Sequence, residues 1–126
     1  MEVLETSVYA EDLEAARAFY EGVLGLPCFQ FQPPRHAFFR AGRGVFLVFN
    51  PACTEAEENL PPHGARGSVH VAFRVPEEKL PLWAKRLSQA GYPVWWATWP
   101  RGKSLYTRDP AGNLVELAPA QIWGLE

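Results

Sequence analysis

The stretch Gly67-Ser-Val-His-Val-Ala-Phe-Arg-Val75 sets the plan of the chain. Val69, Val71, Phe73 and Val75 alternate onto one face, and Ser68, His70, Ala72 and Arg74 onto the other, which is the periodicity of a strand. The first face is built for packing. The second is too polar for a core, yet it is not the charged surface that solvent favours, and His70 stands in it. Downstream, Leu80, Trp83, Leu87 and Ala90 recur at helical spacing, with Pro81 tolerated in the first turn and Gly91 closing the helix. Strands are expected over Val94–Thr98, Lys103–Arg108 and Asn113–Ala118. Asp109-Pro-Ala-Gly112 supplies the last turn, with Asp at the first position, Pro at the second and Gly at the fourth.

The first half of the chain has the same order. Val3 to Ala10 alternates as a strand, and Asp12 is a good N-cap for a helix carrying Leu13, Ala16, Phe19/Tyr20 and Val23/Leu24 on one stripe. Gly25 ends that helix and Pro27 prevents its continuation. Three strands follow, Cys28–Gln32, His36–Ala41 and Val45–Asn50, with turns at Pro33-Pro34 and Gly42-Arg43-Gly44. Each half therefore reads β-α-β-β-β. The expected organisation is one α+β domain of two modules, 1–50 and 68–118, joined by a polar, proline-bearing linker over 51–67. A four-stranded sheet with one helix on one face leaves its other face to be covered. Two such sheets would curl around a shared interior where a site could form.

Composition narrows the function classes. Hydrophobic residues make up 48% and charged residues 21%, as in ordinary globular proteins. A net charge of −2 supplies no basic patch, so nucleic acid is not an expected partner. No apolar run reaches the ~18 residues a membrane span needs, and the acidic N-terminus lacks a signal peptide's basic start, which predicts a cytoplasmic protein. Cys28 and Cys53 are the only cysteines, and reduced thiols are expected there. Eight Phe, five Trp and four Tyr are more rings than a surface spreads singly, so several should line a cavity or an interface.

Overlaying the halves brings out a set of ionisable residues. Glu5 matches His70 on the first strand. Aligning Asn50-Pro51 with Ala118-Pro119 matches Val48 with Glu116. Three of these four inward positions, Glu5, His70 and Glu116, carry metal-ligating atoms. Alone, a strand histidine is more often a satisfied, half-buried residue, and a terminal glutamate is most simply solvated. Glu116, however, is flanked by Leu114, Val115 and Leu117, and a carboxylate in apolar surroundings needs a cationic partner.

These residues carry a family likeness. Asp12-Leu-Glu-Ala-Ala-Arg-Ala-Phe-Tyr20 with Val23-Leu-Gly-Leu26 resembles the N-terminal signature of the vicinal oxygen chelate superfamily. His70-Val-Ala-Phe73 and Asp109-Pro-Ala-Gly-Asn-Leu-Val-Glu116 resemble its C-terminal one. That superfamily includes glyoxalase I, fosfomycin-resistance proteins, extradiol dioxygenases and bleomycin-binding proteins. The resemblance implies a glyoxalase-like fold, in which paired βαβββ modules form a cup-shaped half-barrel with helices outside, holding a divalent metal (Mn, Ni, Zn or Fe). It carries metal ligation onto Glu5, His70 and Glu116, and makes the first and last strands of a module neighbours, so that His70 points into the cup beside Glu116. Glu5 stands where the family most often has His, and Val48 where glyoxalase I has a carboxylate. One His with two carboxylates also differs from the 2-His-1-carboxylate iron triad, which disfavours ring cleavage of catechols.

The stretch Arg101-Gly-Lys-Ser-Leu-Tyr106 resembles the fosfomycin-resistance branch, where such a strand grips an anionic substrate. Ser104, Tyr106 and Arg108 alternate onto one face here. Arg40, His63 and Arg66 are further candidates for the mouth of the cup, and Trp95, Trp96 and Trp99 for its lining. The expected function is a metal-dependent lyase or isomerase, or a thiol transferase, acting on a small oxygenated and anionic substrate. The metal would act as a Lewis acid stabilising an oxyanion or enediolate, with Glu5 and Glu116 as the catalytic carboxylates and Glu5 as ligand or base. Ser104, Tyr106, Arg108, Trp96 and Arg40 would bind the substrate. The alternative is a metal-free binding protein that sequesters a small aromatic molecule, as bleomycin-resistance proteins do. A homodimer is expected, with Phe29, Phe31, Phe38 and Phe39 as interface material.

Overall fold

The computed structural model describes Met1–Leu125, which fall into two compact units, Met1–Gly67 and a second beginning at Ser68. The first unit runs β1 (Glu5–Tyr9), α1 (Leu13–Arg17), β2 (Cys28–Gln32), β3 (His36–Ala41), β4 (Gly44–Phe49) and the short α2 (Pro51–Thr54). The second runs β5 (His70–Arg74), α3 (Leu80–Gln89), β6 (Trp95–Trp99), β7 (Gly102–Arg108) and β8 (Leu114–Ala118). Each unit is a four-stranded mixed sheet, in the orders β1-β4-β3-β2 and β5-β8-β7-β6. The expected α+β fold of paired βαβββ modules is what forms. Among the described residues no helix is long and apolar enough to cross a membrane.

Parallel pairing of first and last strands follows from the helix between them. The chain leaves β1, crosses over one face through α1, and can return only parallel beside its start. Asp12 caps α1 by accepting from the Ala15 amide at 3.0 Å. The helix then widens into a π turn over Ala18–Val23, where the Leu24 amide reaches back to the Phe19 carbonyl. That widening sets Phe19 and Tyr20 together on the sheet, with Tyr20 ring to ring against Phe46 at 4.7 Å and Phe39 at 5.8 Å. All four rings are fully buried. In the second unit α3 carries Leu80 and Leu87 inward, and Leu105, Val115 and Leu117 complete a core of aliphatic side chains.

Register fixes the equivalence of the two sheets. Glu5 pairs with Val45 as His70 pairs with Leu114, so Glu5 and His70 are equivalent, as the sequence predicts. The same registers match Glu116 with Leu47, which corrects the expected match with Val48. Val48 is buried on the helix-bearing face. The physical reason is one extra residue. Asn50 caps α2 by accepting from the Ala52 amide, so Pro51 lies one position further from its strand than Pro119 does. Phe39 is likewise corrected as interface material, because it is closed inside the first unit's core.

The segment 51–67 belongs to the first unit. Arg35 Nε meets Glu57 Oε1 at 2.8 Å, Glu55 pairs with Arg66, and the His63 ring lies edge-on to Phe49 at 4.8 Å while its Nδ1 meets the Tyr9 hydroxyl at 2.7 Å. Both cysteines are free thiols.

Candidate metal centre and substrate face

The second unit's open face, away from α3, presents His70, Glu116, Tyr106, Ser104 and Arg108. Their placement begins at the Asp109 turn. The Asp109 carboxylate accepts from the Ala111 and Asn113 amides and from Asn113 Nδ2, each at 2.9 Å. Asn113 Oδ1 in turn accepts from the Val69 amide at 3.2 Å, and the Leu114 amide donates to the Val69 carbonyl at 2.8 Å. The turn thus ties the start of β8 to the start of β5, one residue from His70. Asn113 is 1% exposed, so its role here is structural and local.

Glu116 is 7% exposed, and its Oε1 lies 3.3 Å from His70 Nε2. His70 Nδ1 lies 3.0 Å from the Leu114 carbonyl. A carbonyl only accepts, so Nδ1 carries the proton and donates. His70 Nε2 then faces a carboxylate oxygen, a contact that a proton on Nε2 or a cation held by both groups would satisfy. A histidine whose second nitrogen is fixed by a backbone carbonyl is the usual way a protein orients a metal-binding imidazole. The donor chemistry of this pair therefore fits a divalent cation.

Trp99, Ser104 and Tyr106 share this face with Glu116. Trp99 Nε1 can only donate, and it gives its proton to Ser104 Oγ at 2.8 Å. Tyr106, two residues beyond Ser104 in β7, is the cross-strand partner of Glu116. Ser104 is fully buried. Burial, and then the Glu116 charge, push the Tyr106 phenol above its ordinary range, so it stays a neutral donor. Arg108 sits further out, with Nη1 donating to Ser68 Oγ at 2.7 Å and to the Gly112 carbonyl at 3.0 Å.

The predicted residues divide as follows. His70, Glu116, Tyr106, Ser104 and Arg108 share one face of one sheet. Trp96 is paired with Leu105 and lies on the opposite face, which corrects its expected place in the lining; Trp95, paired with Tyr106, takes that position. The cause is strand parity, since neighbouring residues of a strand point to opposite faces. Glu5 and Arg40 belong to the first unit. Glu5 is exposed, and Arg40 lies over the Phe29 ring at 4.2 Å. Among the described residues no group of three His, Cys, Asp or Glu is gathered as a metal site; His70 and Glu116 stand as a pair. Sequence reading missed the parts played by Asn113 and Trp99. Asn113 was visible as the residue that directly follows the turn glycine, and Trp99 as the same-face partner of the β7 strand.

A family model described as Glyoxalase/Bleomycin resistance protein/Dioxygenase superfamily matches residues 3–117. The chain belongs to this superfamily. Among solved structures, this superfamily member is similar to a lactoylglutathione lyase from Agrobacterium tumefaciens, with 38% identity, coverage of 99% of this chain and 98% of that one, and a TM-score of 0.94. A glyoxalase-related enzyme from Fulvimarina pelagi shares the fold at 24% identity, with coverage of 92% and 86% and a TM-score of 0.72. So does TnmS3, an antibiotic binding protein from Streptomyces sp. CB03234, at 23% identity, with coverage of 94% and 96% and a TM-score of 0.69. No curated protein matches the chain.

Proposed function

We propose that this superfamily member is a metal-dependent enzyme of glyoxalase type, acting on a small oxygenated anion, with His70, Glu116 and Glu5 as its metal ligands. The observation that carries the reading is the approach of His70 Nε2 to Glu116 Oε1 at 3.3 Å, with His70 Nδ1 held by the Leu114 carbonyl. Likeness to a lactoylglutathione lyase supports a lyase or isomerase reaction over thiol transfer. A bound divalent cation would supply Lewis-acid polarisation of a substrate oxygen. The chain's own residues do the rest. Tyr106, the cross-strand partner of Glu116, offers a neutral phenol beside the carboxylate. Arg108 holds the anionic part of the substrate. Glu5 supplies the third donor, an oxygen, or a base that takes a proton from the substrate at its own carboxylate.

Calorimetric titration with Mn²⁺ tests this, using protein purified without a metal-affinity tag. Binding in the parent, lost in His70→Ala and in Glu116→Ala with the fold intact, is the expected result. Equal affinity in parent and both variants would place any metal elsewhere. Glu5→Gln keeps size but removes charge; weakened Mn²⁺ binding marks Glu5 as a ligand, whereas unchanged binding with lost turnover marks it as the base.

The second reading, a metal-free protein that sequesters a small aromatic molecule, draws on the rings of the open faces. In the second unit Trp95 is 49% exposed and Trp99 41%. A parent protein that binds no divalent cation would favour it.

A further inference from the structure

Trp95, Tyr106, Arg108 and Leu114 line an open pocket of about 300 Å³ in the second unit. Its position follows from the ladder. Leu114 pairs with both His70 and Arg108, and Tyr106 pairs with both Trp95 and Glu116, so the pocket adjoins the His70–Glu116 pair along the same face. Two features of its walls point to one kind of ligand. The first is Arg108. Ser68 and Gly112 hold its Nη1 through neutral acceptors, and among the described residues no carboxylate forms an ion pair with it. Its charge is thus positioned but not neutralised, with the other guanidinium nitrogens available. A lone arginine fork matches a carboxylate's single charge and two oxygens. A dianion would lack a second cation here and would face the Glu116 carboxylate as well. The second feature is the Trp95 indole, half exposed on the open face beside Leu114, which is apolar area that a flat ring covers well.

We propose that this pocket takes an aromatic carboxylate, with its ring against Trp95 and Leu114 and its carboxylate on Arg108. The assignment deepens the proposed function and rests on it, because His70 and Glu116 are the ladder partners of the pocket's Leu114 and Tyr106. Neither Trp95 nor the pairing of ring and anion is part of the metal reading itself.

The test uses metal-free full-length protein and three probes, benzoate, benzamide and acetate, followed by ligand-observed NMR titration. Benzoate should bind about tenfold or more tighter than neutral benzamide and than ring-less acetate. Arg108→Gln should reduce benzoate to the benzamide level, Arg108→Lys should fall between, and Trp95→Ala should reduce benzoate to the acetate level. Benzoate binding no tighter than benzamide would overturn the proposal, and so would benzoate binding unmoved by either substitution. The probe comparison on the parent requires no variant to fold. Mn²⁺ titration of the same proteins separates the two readings. If Mn²⁺ binds and benzoate does not, the pocket assignment alone fails; if benzoate binds and Mn²⁺ does not, the metal reading alone fails.

Discussion

The two units share one ladder and differ rung by rung. Register matches Glu5 with His70, Leu47 with Glu116, Phe38 with Tyr106, His36 with Ser104 and Arg40 with Arg108. Only the arginine is the same in both, and its setting is not. Arg40 lies over the Phe29 ring, whereas Arg108 is braced by a hydroxyl and a carbonyl at the edge of a pocket. The first unit places a histidine stacked on a phenylalanine where the second places a serine and a tyrosine, the tyrosine paired across the ladder with a glutamate. Backbone pairing can repeat without repeating chemistry, because a ladder is set by main-chain hydrogen bonds and face parity, while the open face is left free to vary.

The cores contrast as sharply as the faces, and the largest expected effect lies there. The first unit packs Phe19, Tyr20, Phe39 and Phe46 together, while the second packs Leu80, Leu87, Leu105, Val115 and Leu117. Phe39→Ala removes a ring from a ring cluster and should cost about 3–5 kcal/mol, against about 2–5 for Leu87→Ala in the second unit. Urea unfolding of both variants checks this. A Phe39→Ala loss below about 1 kcal/mol would mean that the aromatic cluster repacks and the contrast is superficial.

Next in size is the metal pair. Loss of a ligand should exceed the 10–100-fold typical of losing a ligand's support, so His70→Ala should weaken Mn²⁺ by more than about 100-fold. The same titration on Leu47→Ala should show no change, since the first unit has no carboxylate on that rung. Ser104→Ala sits below both. It removes the acceptor of the Trp99 indole and should weaken Mn²⁺ about tenfold, with Ser104→Thr restoring most of it. Equal affinity in Ser104→Ala would leave the Trp99–Ser104 bond without influence on Glu116.

Much of this contrast was legible in the residues. The alternation of Gly67–Val75, the Asp12 cap and the Asp109 turn each have a local physical cause, and the structure keeps all of them. The boundaries of Cys28–Gln32 and His36–Ala41 came out unchanged because turns bracket them on both sides. What local pattern could not fix was parity across a connection. One extra residue before Pro51 put Leu47 on the rung expected for Val48, and adjacent tryptophans offered no means of choosing Trp95 over Trp96 until the β6–β7 register was known. The Trp99–Ser104 hydrogen bond was also out of reach, because it depends on the β6–β7 register.

The smallest expected effect is a pH dependence confined to the first unit. His36 is 4% exposed, stacked on Phe38, and its Nδ1 accepts from Arg35 Nη1 at 2.6 Å while Nε2 donates to Gln30 Oε1 at 2.6 Å. Burial, and then the Arg35 charge, push its pKa below the ordinary histidine value. The folded protein therefore holds His36 neutral at pH values where the unfolded chain has already taken up a proton. Its contribution to stability is fully present above the unfolded pKa of about 6.5 and is lost as pH falls through the lower folded value. Ser104, on the matching rung of the second unit, does not titrate in this range and adds no such slope. His36→Gln keeps hydrogen-bonding capacity and removes the titration. Urea unfolding at several pH values between about 7 and 5 should show a shallower loss of stability in His36→Gln than in the parent. Parallel pH curves for the two proteins would mean that the imidazole takes up its proton as readily folded as unfolded, and that its burial between Phe38, Arg35 and Gln30 is relieved in solution.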